Sequence, residues 1–101
     1  MQFGGPGPQF LVAQLGGKVV GYNYNTIVRG LGHLARVGVH REYAGRGIGR
    51  QLCRRAIDWF NFHGVASELN TQASNPATHR LYPSLGYRRS GQFELMDRQI
   101  R

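Results

Sequence analysis

Cysteine and acid are both scarce in this sequence. Cys53 is the single cysteine, so no disulfide can close within the chain and no Cys-x-x-Cys pair can hold a metal or a redox centre. Asp and Glu number five against thirteen Lys and Arg, a formal charge of +8. No run approaches the ~18 consecutive apolar residues that a membrane span needs. The opening "MQFGGPGPQF" has neither the basic nor the apolar region of a secretory signal. Together these absences predict a cytoplasmic protein with no metal and no membrane partner. Also missing are a Ser-His-Asp order and a His-Glu-x-x-His helix, which sets aside the common hydrolase signatures.

What is present is a globular composition: 41% hydrophobic residues spread over 101 positions, enough for one modest core. Twelve of the thirteen basic residues are arginine, whose forked guanidinium suits phosphate. The positive balance favours anionic ligands, whether nucleic acid, acidic surfaces or phosphorylated cofactors. A plain basic, soluble surface accounts for the same numbers. The aromatics are not interleaved with the arginines in a stacking pattern, which argues against nucleic acid.

Residues 1–9, rich in Gly and Pro, read as a flexible lead-in to a single domain over 10–101. "FLVAQ" (10–14) and "KVVGYNYNTI" (18–27) read as strands joined by a glycine hairpin. Strict alternation places Val20, Tyr22 and Tyr24 on one face of the second strand, and Val19, Gly21 and Asn23 on the other. "HLARVGV" (33–39) reads as a third strand, with His33, Ala35, Val37 and Val39 on one face and Leu34, Arg36 and Gly38 on the other. From Ile48 the period changes: Ile48, Leu52, Cys53, Ala56, Ile57 and Phe60 form a helical stripe that stops at Gly64. Cys53 on that stripe reads as core. "VASELNTQ" (65–72) reads as a fourth strand, and "SNPATHRLYPSLG" as a second helix capped by Asn75, with Pro83 expected to kink or shorten its last turn. Two short strands around Gly91 close the chain. The order β-β-β-α-β-α-β(β) predicts an α/β protein, or α+β, with a mixed sheet.

The stretch "HREYAGRGIGRQL" sets Gly45, Gly47 and Gly49 between a strand and a helix. Unpaired N–H groups and the positive helix end make such a turn a phosphate site. A P-loop would need Lys-Ser/Thr, which is missing. The dinucleotide fingerprint would need glycine where Arg50 stands. A tight turn whose glycines serve packing alone is the remaining structural alternative.

With its flanking residues, "VHREYAGRGIGRQL" resembles the acetyl-CoA-binding motif of the GNAT N-acetyltransferase superfamily, Gln/Arg-x-x-Gly-x-Gly/Ala. Here it runs Ala44-Gly45-Arg46-Gly47-Ile48-Gly49. "NPATHRLYPSLGY" resembles the family's second signature, an Asn at the helix start and a Leu-Tyr pair before Gly-aromatic. Both fall in order across residues 33–101. There are two departures. Ala44 stands at the Gln/Arg position, where Arg41, Arg46 or Arg50 can supply the missing charge. The family's usual domain of ~140 residues also carries a first strand and two helices ahead of the first strand read here.

The resemblance implies a GNAT (acyl-CoA N-acyltransferase) fold lacking those N-terminal elements, with acetyl-CoA as co-substrate. By resemblance, Val37, Gly38 and Val39 line the pantetheine arm. The amides of Gly45, Arg46, Gly47, Ile48, Gly49 and Arg50 hold the pyrophosphate, and Asn75 lies near the pantetheine or an ordered water. Backbone N–H groups near Val39 stabilise the oxyanion. Tyr82 takes the general-acid position, unless it is a packing aromatic. His33 stands eleven residues before Ala44, where some members carry a catalytic glutamate; it is then the base, or an ordinary strand histidine. Glu42, Glu68 and a water relay are the other bases weighed. The implied function is direct acetyl transfer to a primary amine, borne by a small molecule or a protein. The alternative is a catalytically weak acetyl-CoA sensor or interaction module. An unpaired outer strand edge and an uncovered sheet face predict a homodimer.

Overall fold

The computed structural model describes residues 7–70, 81–89 and 95–98. Their elements are β1 (Gln9–Leu15), β2 (Lys18–Val28), β3 (Leu31–Val39), a 3-10 turn (Arg41–Tyr43), α1 (Ile48–Phe62), β4 (Ser67–Asn70), a helical piece at 81–84, β5 (Arg88–Arg89) and β6 (Leu95–Arg98). They build one mixed sheet in the order β1-β2-β3-β4-β6-β5. Only β3 and β4 run parallel, because α1 carries the chain back between them; the other neighbours are antiparallel. β1 starts at Gln9, one residue inside the stretch read as lead-in.

α1 follows its sequence period. Leu52, Cys53, Ala56, Ile57 and Phe60 are buried and face the sheet, while Arg54, Arg55 and Asp58 stay exposed. Its C-terminal turn closes through His63 and Gly64, whose amides reach the carbonyls of Trp59 and Asn61. Cys53, Ala56, Ile57 and Phe60 of that stripe join Leu34, Leu69, Tyr82, Leu85 and Tyr87 in one core, so residues 81–87 pack beside α1 on the same side of the sheet. Gly32 lets the Phe60 ring lie against β3, where a Cβ would stand 2.6 Å from it. Pro83 sits within the last helical turn, which ends at Ser84.

Strict alternation fails in both long strands, for one physical reason. In the β2–β3 pairing Tyr24 opposes Arg36 while Asn25 opposes Leu34, so Ala35 is an extra residue in β3. This bulge brings Leu34 and Val37 onto the same, α1-facing side, correcting the expectation that they lie on opposite faces. A second bulge at Val20 separates the pairs Ala13–Gly21 and Gln14–Val19, and Val20 is 1% exposed. The covered face of β2 is therefore the one with Gly21, Asn23 and Asn25.

Both asparagines are fully buried. Asn23 Nδ2 donates to the Arg36 carbonyl (2.9 Å), and Asn25 Nδ2 donates to Asn23 Oδ1 (2.6 Å) and Gln9 Oε1 (2.9 Å). A buried amide is held by such partners, though Asn25 Oδ1 is buried with no hydrogen-bond partner among the described residues. On the opposite face Phe10, Val12, Tyr22 and Val28 are exposed, and Phe10 meets Tyr24 edge-on. The two faces of the sheet are thus unequal: one holds the core, the other presents an apolar strip.

Candidate active site

The site starts where β3 and β4 part. Their ladder consists of two rungs, Gly32–Ser67 and His33–Glu68. Past the Ala35 bulge β3 continues through Val37, Gly38 and Val39 with no β4 partner among the described residues. Among the described residues no strand takes up its backbone groups on that side, and an unpaired strand edge is the geometry an extended ligand would need. Gly38 lies beneath the Tyr22 ring, 2.5 Å from where a Cβ would stand, so the strand is slim at this point.

The chain leaves β3 through the 3-10 turn, anchored by the His40 amide on the Val20 carbonyl (2.7 Å). The glycine turn follows. Gly45 and Gly47 have φ of 81° and 80°, the left-handed region, and nothing lies within 4 Å of a Cβ built on either. Their glycine identity therefore answers to backbone conformation and open space, and not to crowding by the protein. Gly47 is the N-cap of α1 with no side-chain cap, and the first turn holds no acid. The first helical bond runs from the Gln51 amide to the Gly47 carbonyl (3.0 Å), so the amides of Ile48, Gly49 and Arg50 remain as donors at a positive helix end. Arg46 lies 5.0 Å over the Tyr43 ring. Arg50 Nη1 donates to Ser84 Oγ (2.8 Å), which donates to the Leu81 carbonyl (2.6 Å). That pair of bonds fastens the start of α1 to the segment bearing Tyr82.

Tyr82 is 5% exposed and packs edge-on to Tyr87, whose hydroxyl meets Ser67 Oγ at 2.7 Å. Burial raises the Tyr82 phenol above its usual range, with further contributions from Cys53 and Tyr87. Burial pushes Tyr87 up to about 12 against the opposing effect of its Ser67 hydrogen bond, and pushes the Cys53 thiol up to about 12. Cys53 is core, as its place on the stripe predicts.

His33 lies on the face away from α1, at the last rung of the ladder, and its Nδ1 is 3.2 Å from Glu68 Oε2. The structure thus joins two residues that sequence reasoning weighed as competing bases. Glu42 lies in the 3-10 turn, with its amide bonded to His40 Nδ1. Asn75 falls outside the described residues. A hollow of about 460 Å³ beside α1, lined by Arg54, Asp58, Asn61 and Arg98 among others, shares no residue with the fork. Sequence reasoning missed Asn23. Its only signal was a short polar residue in an otherwise strand-like run.

The family model for the acetyltransferase (GNAT) family matches residues 2–87. The chain belongs to the GNAT family. Among GNAT relatives, N-acetylaspartate synthetase of Rattus norvegicus is 37% identical over 94 residues, 85% of this chain and 30% of that protein. The N-alpha-acetyltransferase RimI of Mycobacterium tuberculosis is 33% identical over 96 residues, 85% of this chain and 56% of that protein. The chain therefore spans about a third to a half of the length of these relatives. Among solved GNAT structures, the PaiA N-acetyltransferase of Thermoplasma acidophilum in complex with coenzyme A superposes with a TM-score of 0.81. It is 21% identical, and the match covers 92% of this chain and 61% of that one. That likeness establishes the fold.

The buried acids predict a response to alkali. Cys53, Tyr82 and Tyr87 titrate higher in the folded than in the unfolded chain, where they ionise from 9.0 and 10.0 upward. The folded state then binds more protons, so stability is whole below about pH 9 and falls as pH rises toward about 12. Urea midpoints at about pH 8, 10 and 11 should decline in that order; a flat series would contradict the burial of these groups.

Proposed function

We propose that this chain forms the acetyl-CoA-binding part of an N-acetyltransferase that transfers acetyl directly to a primary amine in a ternary complex. The observation that carries the reading is the continuity of a β3 edge, unpaired among the described residues, with an uncapped, acid-free, glycine-opened helix start. An extended arm ending in a pyrophosphate fits that path: strand-like backbone first, then convergent N–H groups. Val37, Gly38 and Val39 would hold the pantetheine. The amides of Gly45 to Arg50 would hold the pyrophosphate, with Arg46 and Arg50 alongside. Asn75 is assigned to the pantetheine by family resemblance. Acetyl-CoA supplies the activated acetyl thioester.

The remaining chemistry is proton handling by this chain. Tyr82, kept protonated by burial, holds the proton for the departing sulfur, and His33 receives the proton of the attacking amine. A relative that makes N-acetylaspartate and one that acetylates α-amino groups make L-aspartate and peptide N-termini the first acceptors to assay. Ala44, which offers no polar side chain at the motif's Gln/Arg position, favours a second reading: a module that binds acetyl-CoA without turnover. A single, buried cysteine is compatible with the cytoplasm. The exposed strip of Phe10, Val12, Tyr22 and Val28, and a β1 edge with no outer neighbour among the described residues, support a homodimer through that face.

Three experiments address these readings. Calorimetry should show acetyl-CoA binding that Gly47→Val weakens by at least about tenfold while circular dichroism stays native, because the β-branched side chain enters the space above the turn and strains its left-handed backbone. Binding of equal strength in the variant would put the coenzyme elsewhere. In a thiol-release assay over the amine panel, Tyr82→Phe should retain coenzyme affinity and lose ~10²-fold in turnover. Unchanged turnover would make Tyr82 a packing residue, and binding without turnover in the parent would favour the sensor. Light scattering should return about twice the 11.3 kDa chain mass; a stable monomer at micromolar concentration would remove the dimer.

A further inference from the structure

The rung that ends the β3–β4 ladder carries His33 and Glu68 side by side, with Nδ1 and Oε2 3.2 Å apart. Their neighbours Gly32, Leu34, Ser67 and Leu69 are buried on the α1 side, so the pair projects from the open face. Parallel pairing places the two residues directly across from each other, which fixes the contact through the backbone. The side chains are 37% and 31% exposed, so the pair is within reach of an approaching molecule yet sheltered on its strand side. The fork that would receive the pantetheine opens immediately beyond it.

We infer that Glu68 is a positioning residue that holds His33 in the tautomer a base requires. The inference rests on the transferase reading above. The pair stands at ion-pair distance, and a carboxylate only accepts hydrogen bonds, so a bond closed across that gap uses a proton on Nδ1. With Nδ1–H donated to Glu68, the neutral imidazole keeps its lone pair on Nε2. An amine attacking a thioester must shed one proton as its nitrogen–carbon bond forms and the carbon–sulfur bond breaks. That proton goes to Nε2 of His33, the imidazolium is steadied by the Glu68 carboxylate, and the sulfur leaves with the proton from Tyr82. The products are an amide and a free thiol, and no oxidant or metal enters the balance. Without Glu68 the ring is free to carry its proton on Nε2 and to turn away from the fork.

Nitrogen-15 NMR of the full chain reads the tautomer without any need for activity. His33 should carry its proton on Nδ1 in the parent. It should lose that preference in Glu68→Leu and keep part of it in Glu68→Gln, which retains a neutral acceptor. Thiol release with acetyl-CoA and the amine panel should show about a tenfold or larger fall in kcat for Glu68→Leu, with KM for acetyl-CoA unchanged and Glu68→Gln intermediate. A parent His33 protonated on Nε2 overturns the inference even if the leucine variant does not fold. Equal kcat in parent and Glu68→Leu overturns it while leaving the transferase reading intact. A parent that binds acetyl-CoA but releases no thiol with any amine overturns the transferase reading and the base role together.

Discussion

One extra residue in one strand sets the geometry of this molecule. The Ala35 bulge brings Leu34 and Val37 to the same face, where they reach the core under α1. The β4 pairing stops two residues before it, and among the described residues the second half of β3 has no strand partner on that side. A bulge turns a carbonyl out of the regular ladder, and here the Arg36 carbonyl is met by the buried amide of Asn23. Asn25 and Gln9 complete the chain of amides beneath it. These bonds join β1, β2 and β3 beside the bulge.

The electrostatic part of the site follows from what the start of α1 omits. No side chain caps it and no acid neutralises it, so its free amides and positive end face the turn. Arg50 leans across to Ser84 and ties this end to the short helical segment that carries Tyr82. The strand edge, the helix start and the tyrosine segment come from distant parts of the sequence but are fastened together by few bonds. Gly49 fits where these three meet, with Val39 and Leu81 at contact distance from a built Cβ.

Much of this was legible from local pattern. The stripe Leu52, Cys53, Ala56, Ile57 and Phe60 repeats at helical period, and the glycine turn announces its own backbone freedom. Each depends on residues close in the chain. The faces of β2 and β3 were not legible, because a bulge is decided by the pairing of two strands and leaves no fixed mark in either. Alternation sets Asn23 on one face with Val19 and Gly21, but nothing in the pattern marks it or Asn25 as buried. Their burial is made possible by partners 13 and 16 residues away in Arg36 and Gln9. The contact between His33 and Glu68 depends on the parallel register of two strands separated by a whole helix. Asn75, the cap inferred for the second helix, lies outside the described residues.

The sealed state of Cys53 bears on the chemistry of a thioester. A thiolate is the side-chain form that would accept an acetyl group by thioester exchange and trap it on the protein. Cys53 is fully buried, and its pKa is pushed up to about 12. At neutral pH it is a thiol packed among Leu, Ile and Phe. The chain thus holds no sulfur nucleophile of its own to intercept the acetyl group. In the thiol-release assay proposed above, a folded sample would therefore add no signal from Cys53.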